Sequence, residues 1–269
     1  MKRVMTFLLS ILIFACSLYP EYNQEITKYF DGRKFEKISI ENVNGSINVK
    51  SWGKPEIYVF VKKTSRSKAI LEKTEVIFDD SGRELRIKVK KRDFWRIFGG
   101  SIANVEIIVN TPSPKNLDLS TVNGSVKVND MEGNTSASSV NGDISIFNHR
   151  GNIDSETVNG GINLSKIYGA LKAETVNGSI NSEVLEVGEY INLSTVNGSV
   201  TLKIGNIKNA EFNIETVNGG INIEEFQMPM KRLSLKKRSA YFVLGDGSKK
   251  INIETVNGSI KISALEKSI

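Results

Sequence analysis

The residues of this chain that could do chemistry are few. His149, the single histidine, stands in Asn148-His149-Arg150-Gly151, a turn-like segment with Ser145 and Asp143 close by. A nucleophilic serine needs a base and an orienting acid that converge on it, and closeness along the chain supplies no such convergence. Asp154, Glu156, Glu174, Glu215 and Glu254 are the other supply of acid–base groups. Aligned as a column they would suit polysaccharide cleavage, which needs paired carboxylates or a bound cation. Four of them recur at one repeat position, which reads more simply as a solvated stripe. One Cys and one His cannot furnish the three or four ligands of a common zinc site, and the Gly-Gly-x-Gly-x-Asp calcium repeat is absent. No catalytic residue, cofactor or metal is expected.

Charge offers binding chemistry instead. The formal net charge is +6, yet residues 60–100 hold 12 basic against 6 acidic side chains and residues 231–250 hold 7 against 1. Within the second stretch Lys231, Arg232, Lys236, Lys237 and Arg238 surround Leu233 and Leu235. Alternation predicts a strand in the wall of the fold, with the leucines inward and Arg232 and Lys236 outward. Arg232 and Lys236 are therefore the candidates for contact with an anionic envelope polymer or lipid surface. The simpler reading is a solvated face whose lysines keep sheets from aggregating. No nucleic-acid recognition motif accompanies the charge.

Cys16, the only cysteine, closes an apolar stretch from Val4 to Ala15 that follows Lys2 and Arg3. This is the pattern of an export signal and is too short to span a bilayer. Ile13-Phe14-Ala15-Cys16 resembles a lipobox, so a lipid anchor on Cys16 is expected; cleavage near Ala15 or Ser17 without lipid is the alternative. The chain is expected in the cell envelope, as a membrane-anchored lipoprotein or else periplasmic or secreted.

The elements that must position these groups are announced by repetition. Val-Asn-Gly occurs at Val43, Val122, Val140, Val158, Val176, Val196, Val217 and Val256, six times after Thr, at spacings of 79, 18, 18, 18, 20, 21 and 39. Glycines at 124, 133, 142, 151, 160, 169 and 178 divide the central repeats again every nine residues, so each repeat holds two strands and two turns. The strands show period 2, as in Ile144 and Ile146, Ile162 and Leu164, or Ile251 and Ile253 with Asn252 between; this is the half-buried strand pattern. The aliphatics are read as core. Asn-Gly turns by tolerating positive φ. A hairpin meander would leave one apolar face bare, and a six-residue left-handed helix fails because stepping six from Ile144 lands on Arg150 and Glu156.

The expected fold is therefore all-β, a parallel β-solenoid of 18 to 21 residue coils. Its Asn-Gly corners, Asn44-Gly45, Asn123-Gly124, Asn141-Gly142, Asn159-Gly160, Asn177-Gly178, Asn197-Gly198, Asn218-Gly219 and Asn257-Gly258, should stack into an amide ladder. The threonines before Val-Asn-Gly face inward as a structural ladder. Residues 38 to 262 could supply roughly 11 coils, a rod on the order of 50 Å long at about 4.8 Å per strand. Residues 54–114 are less regular, with strands at 56–63, 74–78, 84–90 and 105–110, a short helix at 67–73, and a flap containing Phe94, Trp95, Ile97 and Phe98.

The segment Ile38-Ser39-Ile40-Glu41-Asn42-Val43-Asn44-Gly45-Ser46-Ile47-Asn48-Val49, the proline-containing stretch at Thr111 to Pro114 and the Thr-Val-Asn-Gly-Ser-Val repeats resemble the bacterial candidate-adhesin family of β-strand repeats, a domain of unknown function. The resemblance covers roughly residues 36–263. It implies an extracytoplasmic β-solenoid and brings no catalytic residues. The organisation expected is a signal peptide at 1–16, a linker or cap at 17–36, the solenoid at 37–263 and a tail at 264–269. The expected function is a non-enzymatic interaction or structural module of the envelope; the alternative is a β-helix protein that binds or cleaves polysaccharide.

Overall fold

The computed structural model describes residues 21–92, 101–205, 207–224 and 231–265, without the Arg232 side chain. The signal, Cys16 and the flap at 94–98 lie outside the described residues. From the N-terminus come β1 (Tyr22–Asp31), β2 (Lys37–Glu41), β3 (Ile47–Ser51), β4 (Glu56–Ser65), α1 (Lys68–Lys73), β5 (Thr74–Asp79), β6 (Glu84–Lys91) and β7 (Asn104–Thr111). The central stretch holds β8 (Asn116–Asn123), β9 (Val126–Glu132), β10 (Thr135–Asn141), β11 (Ile144–Arg150), β12 (Ile153–Asn159), β13 (Ile162–Asn177) and β14 (Ile180–Asn197). The last elements are β15 (Val200–Ile204), β16 (Ala210–Asn218), β17 (Ile221–Ile223), β18 (Lys231–Leu235), β19 (Ser239–Leu244), β20 (Lys249–Asn257) and β21 (Ile260–Ala264).

These strands wind into a parallel β-solenoid with two main walls joined at the Asn-Gly corners. One wall runs β6, β2, β8, β10, β12, the second half of β13, the second half of β14, β20 and β16. The other runs β7, β3, β9, β11, the first halves of β13 and β14, β15, β21 and β17. That makes nine rungs among the described residues, against the roughly 11 coils expected. The missing coils are accounted for by residues that pair antiparallel as end caps: β1 on β4, β4 on β7 and β5 on β6 at one end, β19 on β16 and β18 on β19 at the other.

Rung order departs from chain order at both ends. The β2–β3 rung lies between β6–β7 and β8–β9, and the last rung, β20–β21, is inserted between β14–β15 and β16–β17. Neither terminal strand of the repeat is therefore an outer rung. A solenoid end otherwise exposes both its core and an unpaired strand edge.

Period-2 alternation puts Leu117 and Leu119 from one wall against Val126 and Val128 from the other, each 2% exposed or less, and the same positions repeat rung after rung into one continuous core. A side chain of this size fully buried contributes about 1.5–3 kcal/mol. Midway through the second wall the chain kinks at Asp130, Asn148 and Lys166, with φ of 57°, 51° and 56°. Asn148 Nδ2 donates to Asp130 Oδ1 at 2.8 Å. Gly151, at φ 130°, then makes the second corner in a conformation side chains avoid. α1 is capped by Ser67, and its C-terminal carbonyls meet buried Lys63, whose Nζ donates to the carbonyls of Leu71 and Thr74 at 3.3 and 2.8 Å. Desolvation lowers the Lys63 pKa.

Candidate functional site

The corner column is a continuously hydrogen-bonded surface. The Asn side chains stack in the order Asn44, Asn123, Asn141, Asn159, Asn177, Asn197, Asn257, Asn218, each amide nitrogen after that of Asn44 donating to the preceding amide oxygen at 2.8–2.9 Å. Beside them the valines of Val-Asn-Gly point outward; Val122, Val140, Val158, Val176, Val196, Val217 and Val256 are 39–55% exposed. The residue before each valine turns inward. Thr157, Thr175, Thr195, Thr216 and Thr255 donate to a corner-glycine carbonyl of the adjacent rung at 2.8–2.9 Å, Thr121 does so at 3.2 Å, and Ser139 fills the same role at 3.0 Å.

The corner glycines serve a purpose other than the one expected. Of the eight, Gly45 alone has a positive φ, 115°. At Gly178 an added Cβ would stand 2.6 Å from the carbonyl carbon of Gly160 and closer still to its oxygen. What excludes a side chain at these sites is the approach of one rung to the next, not left-handed backbone.

The carboxylates do not form one column of free acids. Lys172 sits among Glu156, Glu174 and Asp154, with Nζ to carboxylate distances of 2.7, 3.2 and 3.7 Å. Glu156 first, then Glu174 and Asp154, raise the pKa of Lys172, while burial raises that of Asp154 against the pull of Lys172. Glu215 and Glu254 are in register with each other on the far side of Ser194. Between the valine stripe and this column runs a shallow groove of about 440 Å3 lined by Ser138, Glu156, Val158, Glu174 and Val176. Toward the N-terminal end of the same wall, Lys37 bridges Asp118 at 2.8 Å and Glu84 at 3.4 Å. Arg86, then Ser39, hold the Glu84 carboxyl at about 2.

His149 is not in a turn. It lies in β11, fully buried between Met131 and Ile167 of the adjacent rungs. Its Nε2 is 2.8 Å from Thr135 Oγ1, and Nδ1 has no well-formed hydrogen bond among the described residues. Burial pushes its pKa down to about 4, against an opposing contribution from the Gly151 backbone. Ser145 faces outward, and Asp143 is tied to the Gly161 amide at 2.7 Å, so the three do not converge. Among the described residues there is no cluster of three or more His, Cys, Asp or Glu fit to hold a metal ion.

The basic segment also differs from expectation. β18 is not part of a rung but the outer strand of the C-terminal cap, and Leu233 and Leu235 are 53% and 57% exposed rather than buried. Lys236 is exposed at the turn into β19. The backbone of Arg232 lies in β18. At the other cap the structure gathers three rings that sequence reasoning missed because they come from separate elements. Tyr58 has ring centroids 5.3 Å from Tyr29 and 6.0 Å from Trp52, with Lys54 Nζ 4.8 Å over the Trp52 ring. Tyr29 is 64% exposed.

No curated protein matches the chain. Crystal structures similar to it include a candidate cell adhesion protein from Clostridium sporogenes (10% identity, TM-score 0.35, covering 91% of this chain and 100% of that one). A candidate adhesin from Bacteroides fragilis (12%, 0.40, 90% and 97%) and one from Parabacteroides merdae (10%, 0.34, 90% and 97%) are also similar. The Toastrack DUF4097 family model matches residues 115–263, more than half of the 269-residue chain. With its stacked Val-Asn-Gly rungs, the chain belongs to the Toastrack DUF4097 family, a domain of unknown function.

Proposed function

We propose that this protein is an exported interaction or structural module of the cell envelope, adhesin-like and without catalytic activity. The observation that carries the reading is the corner column. Unbroken amide bonding from Asn44 to Asn218 fixes the surface spacing, so a long partner meets the same valine and amide about every 4.8 Å. In this reading the N-terminal signal exports the chain, a lipid on Cys16 tethers it to a membrane, and Arg232 and Lys236 contribute to contact with anionic polymer or lipid. Fractionation of cells making the full chain tests this, with Cys16→Ser beside wild type and fatty-acid labelling of both. The expected result is wild-type protein labelled and in membranes, and Cys16→Ser unlabelled and released or left as precursor. Cytoplasmic recovery of both would overturn the reading.

A second reading, polysaccharide binding, is favoured by exposed Tyr29 and the half-buried Tyr58 and Trp52 rings beside it, since aromatic faces offer sugars an apolar platform. The acids gather around Lys172 in the other wall, so the rings speak for binding rather than cleavage. Loss of glycan retention in Tyr29→Ala and Trp52→Ala would support it, and equal retention by wild type and variants would remove it.

A further inference from the structure

The C-terminal cap runs past the end of the core. Leu235 is in register with Ala240, and Ala240 with Ile214, which places Leu235 on the core side of the sheet. Ala240 and Ile214 are 2% and 0% exposed, yet Leu235 is 57% and Leu233 53% exposed. The second wall explains this: its last described strand, β17, belongs to the same rung as β16, one strand short of β19 and two short of β18. Leu235 continues the core row into a region where no described strand faces it, and Leu233, beside the irregularity in pairing between Lys231 and Ser234, is exposed next to it.

Charge along the hairpin is mainly basic, with Asp246 beside Lys231 and with Glu211 and Glu215 of β16 in register with Val243 and Ser239 of β19. Lys231 opens β18, and Lys236, Lys237 and Arg238 form the turn, closed by the Lys236 amide donating to the Ser239 carbonyl at 2.8 Å. Lys231, Lys236, Lys237 and Arg238 are exposed. Asp246 is the single acid between residues 231 and 250. A soluble polyanion would meet the cations and leave the leucines wet. A second copy of the hairpin would cover the leucines and set like charges against each other. A bilayer with anionic headgroups satisfies both features, since apolar side chains flanked by lysine and arginine lodge at the headgroup–acyl boundary.

We propose that the β18–β19 hairpin is a membrane-docking element, inserting Leu233 and Leu235 into an anionic lipid surface while Lys231, Lys236, Lys237 and Arg238 lie among the headgroups. This deepens the envelope reading by naming a lipid as partner. The hairpin caps the rod at the end opposite β1.

Because Cys16 is the only cysteine, the full chain carrying Cys16→Ser accepts a single polarity-sensitive fluorophore. It is placed through Leu235→Cys, or through Ser145→Cys on the outward face of β11 as the control. On phosphatidylglycerol–phosphatidylcholine vesicles the label at 235 is expected to shift to the blue and to be quenched by brominated acyl chains, while the label at 145 stays unchanged. Adding Lys236→Ser and Lys237→Ser should lower vesicle affinity on the order of 25-fold, about fivefold per cation, and high salt should act in the same direction. No shift at 235, an equal shift at 145, or the same shift with dextran sulfate in place of vesicles would each overturn the proposal. Fractionation reads export separately, so failure here leaves the envelope reading standing and failure there leaves this contact standing.

Discussion

Replacing Gly178 by Ala adds one carbon, and the structure says where it must go. The new Cβ would stand 2.6 Å from the Gly160 carbonyl carbon and 3.1 Å from the Gly161 nitrogen, where ordinary contact begins at 3.4 Å. These are backbone atoms of the next rung, so the rungs have to part by at least about 0.8 Å (3.4 minus 2.6). Two side-chain bonds span that gap, Thr175 Oγ1 to the Gly160 carbonyl at 2.9 Å and Asn177 Nδ2 to Asn159 Oδ1 at 2.8 Å. At about 1 kcal/mol net for each, with further loss from the parted backbone, Gly178→Ala should cost about 2–4 kcal/mol. Gly161→Ala is the control in the same corner: its nearest non-local atom would be 3.4 Å away and its φ is not positive, so the change should fall within about 0.5 kcal/mol of wild type. Urea denaturation followed by circular dichroism measures both. Equal midpoints for the two variants would refute the claim that rung-to-rung approach dictates these glycines.

Asn159 gives one ladder bond and receives another, whereas Asn218 makes only its bond to Asn257 in the ladder; Asn159→Ala should therefore cost about twice what Asn218→Ala does, about 1 against about 0.5 kcal/mol at these exposed positions, by the same denaturation assay. His149 has a folded pKa of about 4 against an unfolded value of about 6.5, so the unfolded state binds the extra proton in between. Stability should thus be full above about pH 6.5 and fall by about 3 kcal/mol as pH drops toward 4, and His149→Met should flatten that part of the pH–stability curve. Lys172→Met leaves Glu156, Glu174 and Asp154 without their shared cation; a loss of about 1 kcal/mol at low ionic strength should shrink in high salt, read by the same denaturation assay.

What could be read from the sequence was the rung; what could not was the stacking order. Spacings of 18 at Val122, Val140, Val158 and Val176, with aliphatics at alternate positions, specify a repeat whose like residues stack, and the strands and short helix expected between residues 54 and 114 are present as β4, α1, β5, β6 and β7. The rungs ending at Asn197, Asn218 and Asn257 read Asn-Leu-Ser-Thr-Val-Asn-Gly, Asn-Ile-Glu-Thr-Val-Asn-Gly and Asn-Ile-Glu-Thr-Val-Asn-Gly. Near-identical segments stack with near-identical energies, so nothing local says that Asn257 lies between the other two. Alternation likewise tells which side of a sheet Leu235 takes but not whether a second sheet faces it. His149 did leave a signal: steps of 18 from it land on Met131 and Ile167, the neighbours of a core position.

Interleaving of the last rung is the most direct test of the architecture, because it predicts contacts that a sequential winding forbids. In a Cys16→Ser background, Ser194→Cys with Glu254→Cys places two thiols in register on adjacent rungs, whereas Ser194→Cys with Glu215→Cys places them two rungs apart. Disulfides need Cα atoms about 4.4–6.8 Å apart, and rungs repeat at about 4.8 Å. Mild oxidation followed by non-reducing electrophoresis and peptide mapping should give an intramolecular disulfide with the first pair and none with the second. A disulfide formed by the 194–215 pair and not by the 194–254 pair would contradict the interleaved solenoid.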